Sequence, residues 1–298
     1  MATGGPMDGV RLLHDIRAVL GEGLYWSAAE ARLYFVDIRQ CRVHALQPDC
    51  GECRQWQLPD LVGWVIPRRQ GGWVAGMRDG FALLQLGDEA SLQPIANPHP
   101  GQRGMRLNDA KAWRDGSIFA GSMSDSDAAG AHGRLYRLRP DLSWQTVDSG
   151  YHICNGPCFA PDGQLMYHTD SYLRTIYRYR LAADGTPGER AVWKVFAPQE
   201  GYPDGMTVDA DGCLWVAHWD GGCVSRFAPD GSLLRRIRLP VSLVTNVCFF
   251  GERLQRLAVT TARDGLDAAT LAAQPLAGGV FEIDTLGVCG LPAAQFGG

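Results

Sequence analysis

Short apolar runs that contain aromatic residues recur along the whole chain, and most of them follow a turn-forming pair such as Asp-Gly. Two examples are Ile118–Gly121, which follows Asp115 and Gly116, and the later run Leu214–Ala217. Short runs that are bounded by turn residues are typical of β-strands rather than helices. Helical periodicity is nearly absent, and only residues 267–273 predict a short turn of helix.

The unit occurs six times, and each copy is followed by a second apolar strand. One residue in the first strand of each copy serves as a marker: Tyr34, Trp73, Ile118, Met166, Trp215 and Ala258. The markers are 39, 45, 48, 49 and 43 residues apart, and four-stranded propeller blades repeat about every 40–50 residues. The pattern therefore predicts an all-β, six-bladed β-propeller.

We expect residues 1–298 to form a single domain, with blades that begin near residues 22, 63, 108, 155, 204 and 245. A β-sandwich or two smaller β-domains is the competing interpretation. Domain boundaries usually show a polar or Pro/Gly-rich joint, and the six copies follow one another without such a linker.

The apolar run from Asp15 to Leu20 precedes the first copy and has no partner strand within it. We expect this run to supply the outer strand of the sixth blade. Such an N-terminal strand would close the ring and remove an exposed sheet edge.

Composition narrows the classes of function. Hydrophobic residues make up 46% of the 298 residues and charged residues 20%, which is typical of a globular protein. The net charge of −4 provides no long-range attraction to nucleic acid or acidic membranes. Neither a secretory signal nor an apolar run of about 18 residues is present in the sequence. We therefore expect a cytoplasmic monomer without nucleic-acid or membrane partners.

One position per blade, seven or eight residues before each turn, is expected to face the central channel, where propellers usually bind ligands. The residues at this position are Glu22, Gly63, Asn108, Asn155, Asp204 and Thr245. Asn-Gly and Asp-Gly pairs are common in turns, so a functional interpretation depends on the matching register across blades.

Two carboxylates and two carboxamides at this position indicate a cation site. Glu22 and Asp204 would otherwise repel each other and lose solvation without compensation. Oxygen ligands with a total charge of −2 favour one divalent ion such as Ca²⁺, Mg²⁺ or Mn²⁺, with Zn²⁺ and Fe(II) as alternatives.

Four groups of motifs resemble the regucalcin/gluconolactonase family, and they cover nearly the whole chain in the family's order. They are Gly21–Trp26, Arg106–Asp109 with Ala120–Met123, Asn155-Gly156 with Pro161–Gly163, and Pro203–Met206. Three further segments are similar to bacterial pentonolactonases of the xylonolactonase type: Cys154–Cys158, Thr260–Arg263 and Pro275–Val280.

The resemblance implies a role for five residues. Glu22, Asn155 and Asp204 correspond to the metal ligands of the family, and Arg106 and Asn108 correspond to substrate-binding residues. One position departs from the family pattern.

Animal regucalcins carry a sugar-binding glutamate three positions after the Met that matches Met123. This chain has Ser126 there, with Asp125 and Asp127 on either side. The contacts to individual hydroxyl groups, and hence the identity of the sugar, stay open at this point.

The predicted function is divalent-metal-dependent hydrolysis of a sugar-acid lactone to the aldonic acid, and a pentonolactone such as xylonolactone or arabinonolactone is the expected substrate. A bound cation polarises the lactone carbonyl and acidifies a bound water. Arg106 and Asn108 can donate to the oxyanion or to ring hydroxyls. Asp204 is the candidate general base. No Gly-x-Ser-x-Gly elbow is present to supply a serine nucleophile.

Three alternatives remain. A gluconolactonase could use the same fold. So could a phosphotriesterase-like hydrolase or another hydrolase for larger lactones, which an apolar channel mouth would favour. Arg106 and the polar run Ser124–Asp127 favour a sugar. A non-enzymatic interaction propeller is the third alternative, but it has no reason to bring carboxylates together in its channel.

Overall fold

The computed structural model describes residues 9–102 and 104–298, and these residues form six antiparallel sheets of four strands each. The prediction of an all-β, six-bladed propeller is confirmed. The first strand of the chain is β1 (Val10–His14), and it belongs to the last blade.

The remaining strands follow in chain order, one blade after another. Blade 1 consists of β2 (Gly21–Ser27), β3 (Arg32–Asp37), β4 (Arg42–Leu46) and β5 (Cys53–Gln57). Blade 2 consists of β6 (Val62–Pro67), β7 (Trp73–Met77), β8 (Gly80–Leu86) and β9 (Ala90–Ala96). Blade 3 consists of β10 (Met105–Ala112), β11 (Ile118–Ser124), β12 (Gly133–Leu138) and β13 (Trp144–Tyr151).

The second half of the ring has the same organisation. Blade 4 consists of β14 (Cys154–Phe159), β15 (Leu165–Asp170), β16 (Thr175–Arg180) and β17 (Ala191–Val195). Blade 5 consists of β18 (Tyr202–Val208), β19 (Leu214–Trp219), β20 (Cys223–Phe227) and β21 (Leu233–Arg238). Blade 6 consists of β22 (Val244–Phe250), β23 (Arg256–Thr261) and β24 (Val280–Asp284), and it is completed by β1.

An N-terminal strand closes the ring, but it is not the predicted segment. β1 pairs with β24, with Val10 opposite Ile283, whereas the segment from Asp15 to Leu20 was expected in this place. That segment instead crosses from the outer edge of blade 6 to the innermost strand of blade 1. The prediction is wrong because Arg17 has a left-handed backbone, with φ of 54°, and because the backbone N–H of Val19 donates to the Asp37 carboxylate. Neither feature is compatible with a continuous strand ladder.

Each blade begins with its innermost strand, and neighbouring innermost strands pack against one another around the channel. We call the end of the channel where these strands begin the upper end, and the opposite one the lower end. Every innermost strand has a register shift near its start, and such irregularities re-aim side chains. The shifts lie between Glu22 and Tyr25, Val62 and Trp64, Leu107 and Ala110, Asn155 and Cys158, Pro203 and Met206, and Val244 and Asn246.

The segment after β24 crosses the lower end of the channel. Gly290 forms a bridge with Asp209 of blade 5, and Phe296 forms a bridge with Arg68 at the end of β6. The Phe296 ring is fully buried in an apolar cluster between blades 2 and 3. This segment therefore ties blades 5, 2 and 3 together across the channel.

Helical structure is confined to two short elements within the described ranges. One is the 3₁₀ helix Pro198–Glu200. The other is α1 (Ala268–Ala273), which Asp267 caps by accepting the N–H of Thr270, and it lies where the sequence predicted a turn of helix. Neither element is long and apolar enough to cross a bilayer.

The anchoring role of Phe296 can be tested by substitution. Phe296→Ala should lower the free energy of unfolding by about 3–5 kcal/mol, because it removes a fully buried ring and leaves a cavity. Leu291→Ala is the control in the same segment, and it should cost less than about 1 kcal/mol because Leu291 is 39% exposed. Denaturant unfolding of both variants provides the comparison, and equal losses would contradict an anchoring role.

Close packing between blades 2 and 3 provides a second test. A Cβ at Gly63 would lie 2.5 Å from the backbone oxygen of Asn108 and 2.7 Å from that of Leu107. Gly63→Ala should therefore push β10 away from β6 and cost about 1–3 kcal/mol of stability. Gly87→Ala is the matched control, since its Cβ would find its nearest neighbour at 3.6 Å. Thermal unfolding of the two variants measures the difference, and a stable Gly63→Ala protein would rule out this constraint.

Candidate functional site

The structure brings the five predicted site residues together at the upper end of the channel. Glu22 lies on β2, Asn155 on β14 and Asp204 on β18, while Arg106 and Asn108 lie on β10. All five side chains are buried. The five residues lie close together because the innermost strands of their blades start around the channel axis, and the register shift near the start of each strand turns side chains toward the channel.

Glu22 and Asp204 are close enough to affect each other's ionisation. Burial, reinforced by the negative charge of Asp109, raises the pKa of Glu22 to about 8. Burial also raises the pKa of Asp204 well above its usual value, and the charges of Glu22 and Asp109 add to this effect. Hydrogen bonds only partly offset the burial of Glu22, whose Oε2 accepts from Gly23 N at 2.9 Å and from Asn246 Nδ2 at 2.7 Å.

Hydrogen bonds fix the orientation of the Asn155 amide. Its Nδ2 donates to Ser171 Oγ at 2.8 Å, and that hydroxyl donates to the carbonyl oxygen of Pro203 at 2.6 Å. Because the carbonyl can only accept, the hydroxyl proton is committed to it, and the hydroxyl must accept from the amide nitrogen. Asn155 Oδ1 therefore points the other way, toward Asn108, whose Nδ2 donates to it at 3.0 Å.

Arg106 is buried beside the two carboxylates and is held by Asp125. Its Nε donates to Asp125 Oδ1 at 2.9 Å, and its Nη1 donates to Asn108 Oδ1 at 2.5 Å. Burial lowers the pKa of Arg106, and the charge of Asp125 opposes that shift. Burial alone would raise the pKa of Asp125, but the guanidiniums of Arg106 and Arg39 hold this pKa below its usual value. The guanidinium thus remains a cationic donor in the channel.

The region that departs from the family pattern contributes one carboxylate to this network. Asp125 contacts Arg106, whereas Asp127 pairs with the exposed His132 at 2.9 Å. Ser126 Oγ lies 3.2 Å from Ser124 Oγ. Only the first of the two acids beside Ser126 therefore reaches the predicted site residues, and it does so as a partner of Arg106.

Sequence reasoning missed three residues that organise the site. Ser171 orients Asn155, as described above. Asn246 donates to Glu22, although the sequence placed its neighbour Thr245 at this position. Thr245 Oγ1 instead contacts Gly21 O and Thr260 Oγ1, because the register shift of β22 displaces the channel-facing position by one residue.

Asp109 is the third of these residues, and it is buried directly after the predicted position Asn108. Its Oδ2 accepts from the backbone N–H of Gly156 at 2.9 Å, and its Oδ1 accepts from that of Ala110 at 2.7 Å. Burial raises the pKa of Asp109. The side chain therefore fixes the backbone next to Asn155. The Asn-Asp pair in the sequence is the only signal that could have indicated it.

The donor set fits a hard divalent cation. Over residues 9–102 and 104–298, no Lys, Arg or His forms a salt bridge with Glu22 or Asp204. The same ranges contain no group of three or more His, Cys, Asp or Glu side chains arranged around a metal position. A cation here would consequently bind two carboxylates and the amide oxygen of Asn155, and such all-oxygen sets suit Ca²⁺, Mg²⁺ or Mn²⁺.

A cavity lies at the lower end of the channel, and its character differs from that of the upper end. It has a volume of about 490 Å³, and Trp26, Trp64, Trp113 and residues 291–295 contribute to its walls. Lys111, Arg114 and Glu252 are the charged residues that line it. None of the five predicted site residues lines this cavity. The polar groups that could perform chemistry converge at the upper end.

Comparison with known proteins agrees with this geometry. Residues 20–263 match the family described as SMP-30/Gluconolactonase/LRE-like region. A 6-deoxy-6-sulfogluconolactonase from Pseudomonas putida is 38% identical over 270 residues, which cover 89% of this chain and 90% of that protein. A pentonolactonase from Haloferax volcanii is 37% identical over 250 residues, which cover 83% of each chain.

A solved structure shows the same architecture. The regucalcin from Agrobacterium tumefaciens, described as a calcium-binding protein, superimposes with a TM-score of 0.91 at 27% identity, and the match covers 99% of both chains. The resemblance that the sequence motifs indicated is therefore confirmed. The chain belongs to the SMP-30/Gluconolactonase/LRE-like family.

Proposed function

We propose that the protein is a divalent-cation-dependent lactonase that opens an uncharged sugar-acid lactone, preferably a pentonolactone, to the aldonic acid. The observation that carries the proposal is the pair Glu22 and Asp204, buried together without a salt bridge to a basic side chain in the described residues and next to the oriented oxygen of Asn155. The lactonase names of the relatives support the reaction class.

Glu22, Asn155 and Asp204 would hold the cation, and its chemistry when bound is to polarise the lactone carbonyl and to acidify a bound water. Asp204 is the proposed proton acceptor, because no side chain in the described residues donates a hydrogen bond to its carboxylate. Arg106 is the proposed donor to the developing oxyanion, since its guanidinium acts on both carboxylates and stays charged in the buried channel.

Asn108 has a positioning role in this proposal. Its Nδ2 donates to Cys154 O at 2.6 Å and to Asn155 Oδ1 at 3.0 Å, so both N–H groups of the amide are occupied within the protein. Its Oδ1 accepts from Arg106. Asn108 therefore orients the proposed metal ligand and the proposed oxyanion donor, and it has no spare N–H group to donate to a substrate.

The charges at the upper end favour a polar and uncharged substrate. Arg106 and Arg39 are matched by Asp125 and Asp264, with contacts of 2.8–3.2 Å. Paired guanidiniums offer hydrogen-bond donors without a net positive charge, which suits sugar hydroxyls better than an anionic substituent. This pairing also argues against an apolar phosphotriester, and the buried carboxylates argue against a purely structural interaction propeller.

The first test is a hydrolysis assay with xylonolactone, arabinonolactone, gluconolactone and 6-deoxy-6-sulfogluconolactone, corrected for spontaneous ring opening. Chelation should abolish activity and one divalent ion should restore it. The five-carbon lactones should show about ten- to a hundredfold higher kcat/KM than gluconolactone, because Ser126 cannot provide the charged contact that a glutamate would make to a further hydroxyl.

Matched variants separate the proposed roles in the same assay. Asp204→Ala should lose more turnover than Asn108→Ala, which should lose at most about 10²–10³-fold because it removes only a positioning contact. Asp184→Ala, an acid exposed far from the channel, is the control and should remain active. Full activity of protein shown by elemental analysis to be free of metal would sink the proposed mechanism.

Cation binding should also release protons. Without a cation, the raised pKa of Glu22, about 8, keeps that carboxyl largely protonated at pH 7, and burial raises the pKa of Asp204 as well. The cation must displace the proton of Glu22, so its affinity should rise as the pH increases from 6 to 8, with release of at least about one proton near pH 7. Titration calorimetry in buffers of different ionisation enthalpy measures this release. Affinity that does not depend on pH in the wild type would contradict the assignment, and Asp204→Asn should release fewer protons.

A further inference from the structure

Arg39 reaches across the upper end of the channel. It lies in the turn between β3 and β4 of blade 1, and its Nη1 donates to Asp125 Oδ2 at 3.2 Å. Its Nε donates to Asp264 Oδ2 at 2.8 Å. Asp125 follows β11 in blade 3 and Asp264 follows β23 in blade 6, so this one side chain connects three blades.

The path of Arg39 takes it over the channel rather than over the outer rim. Blade 2 lies between blades 1 and 3, and its channel-facing position is Gly63, which has no side chain to fill the space. The charges of Arg39 and Arg106 also act on each other, which places the two guanidiniums near one another. Arg39 is therefore located where a lactone would enter.

A continuous set of hydrogen bonds links Arg39 to the proposed metal ligands. Asp125 binds Arg39 through one carboxylate oxygen and Arg106 through the other. Arg106 donates to Asn108, which donates to Asn155. A group that contacts Arg39 consequently lies one carboxylate away from the proposed oxyanion donor, on the solvent side.

Arg39 has donors to spare. Its side chain is 35% exposed, whereas that of Arg106 is 3% exposed. Only Nε and Nη1 of Arg39 make hydrogen bonds within the described part of the chain, so the N–H groups of Nη2 have no partner there. Asp125 and Asp264 together balance the charges of Arg39 and Arg106, so the remaining N–H groups of Arg39 suit a neutral hydroxyl oxygen.

We propose that Arg39 is a further specificity-determining residue, which binds a hydroxyl group at the end of the lactone farthest from the reacting carbonyl. This inference rests on the proposed function, because the site below Arg39 fixes which end of the substrate points outward. Arg39 distinguishes lactones by the hydroxyl groups at their distal carbon. It takes no part in breaking the ester bond, which is the role of Arg106, Asp204 and the proposed metal ligands.

The test compares two lactones that differ only at the distal carbon: xylonolactone, and its analogue without the distal hydroxyl. Arg39→Ala should raise the KM for xylonolactone about ten- to a hundredfold, with kcat changed less than about threefold, because a hydrogen bond from a charged donor is lost. The KM for the deoxy analogue should hardly change. Arg39→Lys should recover part of the effect, because it restores a cationic donor with different geometry.

Controls separate this role from that of a structural clasp. Arg17→Ala removes another exposed arginine whose partner is a nearby acid, Asp15, and it should leave both substrates unaffected. Asp264→Asn keeps the size of the side chain, and it should alter the KM for xylonolactone without lowering the melting temperature by more than a few degrees. The cation affinity of Arg39→Ala, measured by calorimetry, should match that of the wild type.

The outcomes are distinct. If the wild type hydrolyses none of the lactones, the proposed lactonase function is wrong, and the inference about Arg39 falls only because it rests on that function. If the wild type is active and Arg39→Ala lowers kcat/KM equally for xylonolactone and its deoxy analogue, Arg39 only ties blades together and the inference is overturned. An unchanged KM for xylonolactone in Arg39→Ala overturns it as well.

Discussion

The burial of two carboxylates in one channel is the constraint on which the rest of the structure depends. Glu22 and Asp204 are 5% and 7% exposed, and each raises the cost of ionising the other. An unpaired charge in such a place is strongly destabilising unless a counter-charge is supplied. The fold supplies hydrogen bonds to Glu22 and the nearby charge of Arg106. These interactions offset only part of the cost of burying both carboxylates, and a bound cation would supply the missing positive charge.

Contacts between neighbouring blades hold the groups around the two carboxylates in place. Asn246 of blade 6 donates to Glu22 of blade 1, and Ser171 of blade 4 donates to the backbone beside Asp204 in blade 5. Each of these contacts needs neighbouring blades at a fixed spacing. The pairing of β1 with β24 completes blade 6, from which Asn246 reaches Glu22, and the buried Phe296 ties the lower ends of blades 2 and 3. Stability and site geometry therefore share the same interfaces.

The sequence predicted the features that depend on local patterns. The Asp-Gly turns and the apolar runs between them indicated the number of blades, because each hairpin is specified locally by a turn and the two runs beside it. The predicted N-terminal strand, Asp15 to Leu20, lies later in the chain than the observed strand β1. The N–H of Val19 binds Asp37 instead of a neighbouring strand, and a local sequence pattern does not reveal this tertiary contact. The position in blade 6 was missed by one residue because a register shift cannot be seen in an apolar pattern. Arg39 and Asp264 are 225 residues apart, and no spacing rule connects them.

The central inference is that the carboxylates at the upper end, rather than the cavity at the lower end, define the reactive site. Anomalous diffraction from crystals soaked in Mn²⁺ at pH 8 tests it most directly, because the ion is located without reference to any assay. The account predicts one strong peak within bonding distance of Glu22, Asn155 and Asp204. A peak in the lower cavity, beside Glu252 for example, with none between the two carboxylates, would contradict it.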